Sequence, residues 1–245
     1  METKTRTVVI TGASSGIGFA LARAYLQRGY NVVGNARRPE RLQAAEQTLR
    51  SVGNFVTVDG DIGLEETSRR LFERAIACFG QVDILVNNAG IFIAKPVAEY
   101  TSGDIDRLID TNLRGFLYPT RAAVAHMSGN GGGHIINITA ALGMQPTVKV
   151  PAVLPVLTKG GLNQATRALA VELARYGIKV NAVAPGVIDT PLHSPEKHAF
   201  LATLNPSGRV GQTQDIVDAV LYLTDSDFTT GAVLPVDGGA AAGCS

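Results

Sequence analysis

Residues 7–18 read Thr-Val-Val-Ile-Thr-Gly-Ala-Ser-Ser-Gly-Ile-Gly, and this stretch decides the fold. An apolar run suited to a buried parallel strand leads into glycines spaced G-x-x-x-G-x-G, and helix-forming sequence follows. A helix N-terminus attracts anions, and glycine lets a phosphate approach the backbone because it has no Cβ atom. The stretch therefore predicts the first βα unit of a dinucleotide-binding fold. Its cofactor-binding residues are predicted to be Gly12, Ser14, Ser15, Gly16, Ile17 and Gly18.

Strand-like and helix-like segments alternate along the rest of the chain. The predicted strands are 7–10, 31–34, 54–58, 83–87, 134–138, 179–184 and 233–236. The predicted helices are 17–28, 40–50, 65–79, 104–127, 157–176 and 213–224. This alternation predicts an α/β fold with a doubly wound (Rossmann) parallel sheet of about seven strands and helices on both faces. No linker divides the chain, so a single NAD(P)-binding domain is expected over residues 1–245, with a substrate-side flap at about 190–207.

Composition and charge exclude several classes of function. The net charge is only +1, which argues against nucleic-acid or anionic-lipid partners, and 45% apolar residues suffice for a large core. The apolar run at the N-terminus is too short for a signal sequence or a membrane span. Cys78 and Cys244 lack metal-ligand spacing and suit a reducing cytoplasm.

Further motifs occur in the order found in the short-chain dehydrogenase/reductase family, which the chain resembles from about residue 6 to residue 239. They are Asp61-Ile62, Asn87-Asn88-Ala89-Gly90, Asn112, Pro185-Gly186 with Ile188 and Thr190, and Val236-Asp237-Gly238-Gly239. The resemblance implies that Asp61 and Ile62 meet the adenine. It also implies that Asn88, Ala89 and Gly90 line the cofactor site, and that Pro185, Gly186, Ile188 and Thr190 contact the nicotinamide side. The resemblance further implies that Lys159 binds the cofactor by holding its ribose.

The end of the second strand bears on the choice of cofactor. Residues 34–38 read Gly-Asn-Ala-Arg-Arg and contain no acid that could hold a ribose 2′-hydroxyl, as NAD enzymes require. Arginine can pair with a 2′-phosphate through charge-assisted bonds. We therefore expect NADP(H) to be preferred over NAD(H), with Arg37 and Arg38 as the phosphate ligands. The alternative is that both arginines are solvated residues that open a helix.

The resemblance implies hydride transfer between the nicotinamide and a carbonyl or alcohol, assisted by a tyrosine, a lysine, a serine and an asparagine. Lys159 and Asn112 match two of these positions, whereas Pro155 and Ala140 stand where the tyrosine and serine are expected. Thr139, beside Ala140, is a candidate to bind the carbonyl oxygen. Other candidates for the missing proton donor are Lys159 acting through water, and two flap histidines, His193 and His198.

Three interpretations follow from these residues. The first is an NADP(H)-dependent oxidoreductase that acts on a small carbonyl or alcohol with an altered site. The second is a dinucleotide-binding sensor or non-catalytic subunit, and the third is a dehydration or isomerisation. The resemblance also implies a homodimer or homotetramer, with contacts through the helices at 104–127 and 157–176 and through the strand at 233–239.

Overall fold

The chain is described by a computed structural model that covers residues 5–192, 196 and 198–243. Seven parallel strands form one sheet in the order β3-β2-β1-β4-β5-β6-β7. The strands are β1 (Thr7–Thr11), β2 (Asn31–Ala36), β3 (Phe55–Asp59), β4 (Ile84–Asn87), β5 (Gly133–Ile138), β6 (Ile178–Pro185) and β7 (Val233–Val236). The predicted parallel sheet is confirmed.

Helices cover both faces of the sheet. They are α1 (Gly16–Gln27), α2 (Pro39–Leu49), α3 (Glu65–Phe79), α4 (Ser102–Leu108), α5 (Gly115–Met127), α6 (Val153–Leu173), α7 (His198–Ala202) and α8 (Thr213–Asp225). One apolar core joins α1, α2 and α8 to the sheet, and the other joins α3, α5 and α6. Alternate residues of each strand, such as Val8 and Val9 of β1, enter opposite cores, as the pleat requires. Among the described residues, none of the helices has the length and apolar character needed to cross a bilayer.

Two helix predictions need correction. The segment 104–127 is not one continuous helix, because a π-helical turn over Ile109–Arg114 separates α4 from α5. Such a turn accommodates an extra residue and is often found at functional sites. The helix at 157–176 begins earlier, at Val153, and a 3₁₀ turn follows Leu173. Pro155 is compatible with this start because the N–H groups of a helix's first turn have no partner within the helix.

The strand order reverses between β1 and β4, which are direct neighbours. In an open parallel sheet, the crevice at such a switch point, outside the carboxyl ends of the strands, is where ligands bind. The glycine loop follows β1, and Asn88–Gly90 follows β4 at the same edge. The fold therefore brings together the two motifs that the sequence predicted to bind the cofactor.

Candidate active site

The glycine loop leaves no room for side chains at two of its positions. Gly12 has φ +70°, and a Cβ atom there would lie 2.9 Å from Asn88 Nδ2. A Cβ atom at Gly18 would lie 2.2 Å from the carbonyl oxygen of Gly12. Gly16 has φ +54°, and a Cβ atom placed on it would lie 3.3 Å from the Thr190 side chain. This bare backbone at the start of α1 forms a cradle that fits the pyrophosphate of a dinucleotide.

Thr11 ties the glycine loop to the segment after β4. Its hydroxyl oxygen accepts hydrogen bonds from the backbone N–H groups of Asn88 and Ala89, both at 3.0 Å. The Asn88 side chain in turn donates to the carbonyl oxygens of Thr11 at 2.9 Å and of Gly12 at 3.2 Å. Asn88 therefore shapes the loop through its side chain. Thr11 was not predicted, because its partners lie far away in sequence.

The end of β2 presents cations and no carboxylate. The Asn35 side chain is buried and donates to the carbonyl oxygens of Val58 and Gly60, so it faces β3. Ala36 is buried, and Arg37 and Arg38 are exposed. Arg38 is the N-cap residue of α2.

Asp61 and Ile62 form the turn between β3 and α3. The Asp61 side chain accepts a hydrogen bond from the N–H group of Gly63 at 2.9 Å, which fixes one of its two carboxylate oxygens. Ile62 is 4% exposed and belongs to the core that includes α3. The turn places Asp61 at the carboxyl edge of the sheet, beside the end of β2.

Asn112 lies in the π-helical turn with its side chain 1% exposed. Its amide pairs with both backbone groups of Ile91: Oδ1 accepts from the N–H group at 2.9 Å, and Nδ2 donates to the carbonyl oxygen at 3.0 Å. Nδ2 also lies 3.3 Å from the Thr158 hydroxyl of α6. Asn112 therefore joins the loop after β4 to α6. Thr158 therefore belongs to the site, although it was not predicted from the sequence.

Lys159 follows Thr158 on α6 and reaches the ends of β4 and β5. Its Nζ atom donates a hydrogen bond to the carbonyl oxygen of Ile138 at 2.9 Å. A Cβ atom at Gly90 would lie 3.1 Å from Nζ and 3.4 Å from Asn112 Oδ1, so the structure brings these three residues together. Burial lowers the pKa of the Lys159 ammonium to about 8.

The positions beside Lys159 lack acidic hydroxyl groups. Pro155 is buried in the first turn of α6, and Ala140 is a half-buried extended residue just after β5. Thr139 is 5% exposed, and its hydroxyl donates to the carbonyl oxygen of Val183 on β6 at 3.3 Å. This arrangement does not support the predicted use of Thr139 to bind a carbonyl oxygen, because its hydroxyl already has an acceptor within the sheet.

The loop that follows β6 closes the other side of the crevice. The Gly186 N–H group donates to the carbonyl oxygen of Val236, and a Cβ atom at Gly186 would lie 2.7 Å from Asp237 Cα. Asp237 accepts the N–H groups of two residues of the C-terminal segment, which fixes that segment against the loop. The same loop carries Ile188, which is buried, and Thr190, which lies beside Gly16.

One of the two flap histidines can be placed. His198 opens α7, and its Nε2 atom lies 3.4 Å from Asp189 Oδ1. It therefore contacts the loop that carries Thr190. His193 lies outside the described residues, as does Cys244.

A segment of the loop after β4 is anchored to the approach to α6. Lys95 forms an isolated parallel bridge with Ala152, the N-cap residue of α6. The Lys95 ammonium lies 2.7 Å from the carboxylate of Asp104, which also caps the first turn of α4. Neither Lys95 nor Asp104 was predicted from the sequence to belong to the site. Together they restrain the backbone that leads to Pro155.

Comparison with known proteins agrees with this geometry. A sequence model described as enoyl-(acyl carrier protein) reductase matches residues 12–241. The chain is 36% identical over 250 residues to 3beta-hydroxysteroid dehydrogenase 1 of Eggerthella lenta, covering 97% of this chain and 94% of the relative. It is 34% identical over 246 residues to glucose 1-dehydrogenase of Gluconobacter oxydans, covering 96% and 91%.

Solved structures show the same architecture. The structure titled ElxO with NADP bound is 30% identical and superposes with a TM-score of 0.91, covering 98% of this chain and 100% of that chain. The structure of 3-ketoacyl-(acyl-carrier-protein) reductase from Brucella melitensis complexed with NADH is 30% identical, with a TM-score of 0.90 and coverage of 96% and 98%.

The chain belongs to the short-chain dehydrogenase/reductase family and is an oxidoreductase with a Rossmann-like fold. Its cofactor is a nicotinamide dinucleotide, as in the structural neighbours with NADP or NADH.

Proposed function

We propose that this chain is an NADP(H)-dependent oxidoreductase that acts on a small carbonyl or alcohol compound, at a site that works without a tyrosine or serine hydroxyl. The observation that carries the cofactor preference is the pair of unpartnered arginines after β2. Neither Arg37 nor Arg38 has a side-chain acceptor within the described part of the chain.

The helix that follows Arg37 and Arg38 borders the glycine loop and adds a third arginine. A groove beside the glycine loop is lined by Ser14, Ser15 and Arg41, and Arg41 lies one turn into α2. Guanidinium and hydroxyl groups bind phosphate oxygens through charge-assisted hydrogen bonds. A ribose with a free 2′-hydroxyl would find no carboxylate at Ala36. The cluster therefore favours NADP(H) over NAD(H).

The other predicted residues take roles that follow from their positions. The backbone of Gly12–Gly18 binds the pyrophosphate, and Asp61 and Ile62 border the adenine. Ala89 and Gly90 border the middle of the dinucleotide, and Pro185, Gly186, Ile188 and Thr190 border the nicotinamide. Bound NADPH would supply a hydride. Lys159 provides positive charge at the reacting end, and Asn112 positions the loop after β4 relative to α6.

We also propose that residues 190–207 form a flap over the substrate within a single domain spanning residues 1–245. The contact of Thr190, the first residue of the flap, with Gly16 of the glycine loop supports this proposal. Asn205 donates to the carbonyl oxygen of Arg209 at 2.8 Å and anchors its far end.

The same proposal includes a homodimer or homotetramer in the cytoplasm. Leu117 of α5 is 56% exposed, and Leu157 and Val171 of α6 are 66% and 83% exposed. Large apolar side chains on two neighbouring helices favour a subunit contact. Cys78 is an exposed free thiol, which suits a reducing compartment. Native mass spectrometry of the purified protein, compared with a Leu157→Glu variant, tests the assembly.

Parallel titrations with NADPH and NADH, followed by nicotinamide fluorescence, test the cofactor assignment. We expect tighter binding of NADPH and a loss of at least about tenfold in its affinity in Arg37→Asp, because a charge-assisted bond is replaced by repulsion. Arg74→Asp is the matched control, because Arg74 is exposed on α3 away from the site. Equal affinity for both nucleotides in the unaltered protein would refute the NADP(H) preference.

A second candidate function is a dinucleotide-binding sensor or non-catalytic subunit. Pro155 and Ala140 favour it, because neither side chain can donate a proton. It predicts tight NADPH binding with no oxidation of the nucleotide by any aldehyde, ketone or quinone. Turnover of any of these acceptors would exclude it.

A further inference from the structure

The two threonine hydroxyls that adjoin Ala140 and Lys159 in sequence already have acceptors. Thr139 donates to the carbonyl oxygen of Val183, and Thr158 donates to the carbonyl oxygen of Pro155 at 3.2 Å. Both threonines are buried. Because Pro155 and Ala140 add no donor, these four residues provide no acidic proton for an oxygen bound between them.

Lys159 is different, because its hydrogen-bonding capacity exceeds what the protein uses. An ammonium group has three N–H donors. Among the described residues, the Lys159 ammonium has one acceptor, the carbonyl oxygen of Ile138, and it forms no ion pair. Its Nζ atom lies beside Gly90, which is exposed and has no side chain to cover it. Two N–H groups are therefore available to the cofactor and the substrate together at the crevice.

We infer that the preferred substrates are quinones, whose reduction places a delocalised oxyanion against the Lys159 ammonium. This inference rests on the proposed function. A hydride, carrying two electrons, leaves the reduced nicotinamide and reaches the quinone. One quinone oxygen acquires the hydrogen and the other acquires the negative charge, which gives the hydroquinone monoanion and oxidised nicotinamide. A proton from water then completes the hydroquinone, so no side chain has to give up a proton during the transfer.

The preference follows from the stability of the two possible products. Reduction of an unconjugated ketone produces an alkoxide, whose conjugate acid is about as weak an acid as water. A hydroquinone monoanion resembles a tyrosine phenolate, whose conjugate acid has a pKa of about 10. Electrostatic stabilisation by a fixed cation suffices for the second anion, whereas the first needs a positioned acid. The site offers this cation, whereas Pro155 and Ala140 offer no hydroxyl acid.

The substrate test compares 1,4-naphthoquinone with 2-tetralone, a ketone of similar size whose carbonyl is not conjugated with the aromatic ring, after NADPH binding has been measured on the same sample. A positioned general acid contributes roughly 10²–10⁴ in rate, so we expect kcat/KM for the quinone to exceed that for the ketone by at least about 100-fold. We expect the ratio of kcat/KM for the quinone to kcat/KM for the ketone to be smaller in Pro155→Tyr and, as a second variant, in Ala140→Ser, because each adds a hydroxyl group to the site. Reactions without protein correct for direct oxidation of NADPH.

A binding test does not depend on turnover. 4-Nitrophenol absorbs in the visible only as the phenolate, so its absorbance reports pairing with a cation. We expect the protein to increase the phenolate fraction just below the solution pKa of 4-nitrophenol, and we expect Lys159→Arg to retain this effect and Lys159→Met to lose it. An equal effect in Lys159→Met would overturn the assigned role of Lys159.

The outcomes separate this inference from the proposed function. Absence of NADPH binding would contradict the proposed function, and the nitrophenol experiment would still decide whether Lys159 stabilises an oxyanion. NADPH binding with equal turnover of naphthoquinone and tetralone would leave the oxidoreductase assignment intact and overturn the quinone preference.

Discussion

The Nζ atom of Lys159 donates a 2.9 Å hydrogen bond to the carbonyl oxygen of Ile138, the last residue of β5. This bond fixes an ammonium group at the carboxyl edge of the sheet, next to Gly90. The position depends on α6 lying against the ends of β5 and β6, and not on any acidic partner. This fixed, half-buried cation is the group to which we assign the chemistry of the site in the proposed function.

The first prediction concerns the pH dependence of turnover. Burial lowers the pKa of the Lys159 ammonium to about 8, so the group is charged below that pH and neutral above it. We expect kcat/KM for NADPH-dependent reduction to fall as the pH rises through about 8, because the cation is lost. Lys159→Arg should remove this decline, since arginine stays protonated. If kcat/KM of Lys159→Arg declines at the same pH as that of the unaltered protein, a group other than Lys159 is responsible for the titration.

The second prediction concerns Gly18. In Gly18→Ala the new methyl group would lie 2.2 Å from the carbonyl oxygen of Gly12, so the loop must shift. We expect a loss of roughly 1–3 kcal/mol in the free energy of unfolding and a marked loss of nucleotide affinity. The matched control is Gly129→Ala, because a Cβ atom there would meet nothing within 4 Å. Denaturant melts and fluorescence titrations measure both effects, and equal behaviour of the two variants would contradict the account of the loop.

The third prediction concerns Thr11. In Thr11→Val the N–H groups of Asn88 and Ala89 lose their shared acceptor, and Thr11 itself is fully buried. An unsatisfied buried donor costs about 1–3 kcal/mol, so we expect a clear decrease in the unfolding free energy together with weaker nucleotide binding. Thr11→Ser keeps the hydroxyl oxygen and should lose less of both. A loss in Thr11→Ser as large as that in Thr11→Val would contradict the role assigned to the hydroxyl oxygen.

The fourth prediction concerns acid stability and lies outside the active site. His134 is 4% exposed, and burial is the main cause that lowers its pKa to about 3. Its Nε2 atom accepts a hydrogen bond from Asn181 Nδ2 at 2.9 Å. The orientation of the Asn181 amide is fixed because its Oδ1 atom accepts a hydrogen bond from the Ala232 N–H group. The neutral imidazole is therefore the form that fits the folded protein.

The direction of the effect follows from proton linkage. In the unfolded chain His134 takes up a proton near pH 6.5, but in the folded protein only near pH 3. Between these values the unfolded state binds more protons, so the unfolding free energy decreases as the pH falls, by at most about 1.4 kcal/mol per pH unit for one group. We expect His134→Gln to reduce this slope between pH 4 and 6. An unchanged slope would assign acid sensitivity to other residues.

The strands could be predicted from the sequence because each is apolar on both faces, as Val8, Val9 and Ile10 of β1 show. The break in the helix at 104–127 could not, because a π-helical turn has no characteristic residue and depends on the contact between Asn112 and Ile91. The start of α6 was missed because Pro155 marks a boundary in sequence but is tolerated within the first turn of a helix.

The site was predictable in its motifs but not in its hydrogen bonds. The glycine spacing identifies the loop because only glycine permits its geometry. The acceptor of the Thr139 hydroxyl depends on how β5 pairs with β6, and the role of Thr11 depends on a contact with a segment 77 residues away. Such pairings are set by tertiary structure, so no local pattern indicates them.

The most direct test of the account is to titrate the purified protein with NADPH and with NADH by nicotinamide fluorescence, and then to add naphthoquinone to the same NADPH-loaded sample. We predict tighter binding of NADPH than of NADH, followed by loss of the reduced nucleotide at a rate well above the protein-free reaction. Binding of neither nucleotide would contradict the assignment of the glycine loop and of Arg37. Tight NADPH binding with no oxidation by any acceptor would contradict the proposed chemistry and favour a non-catalytic subunit.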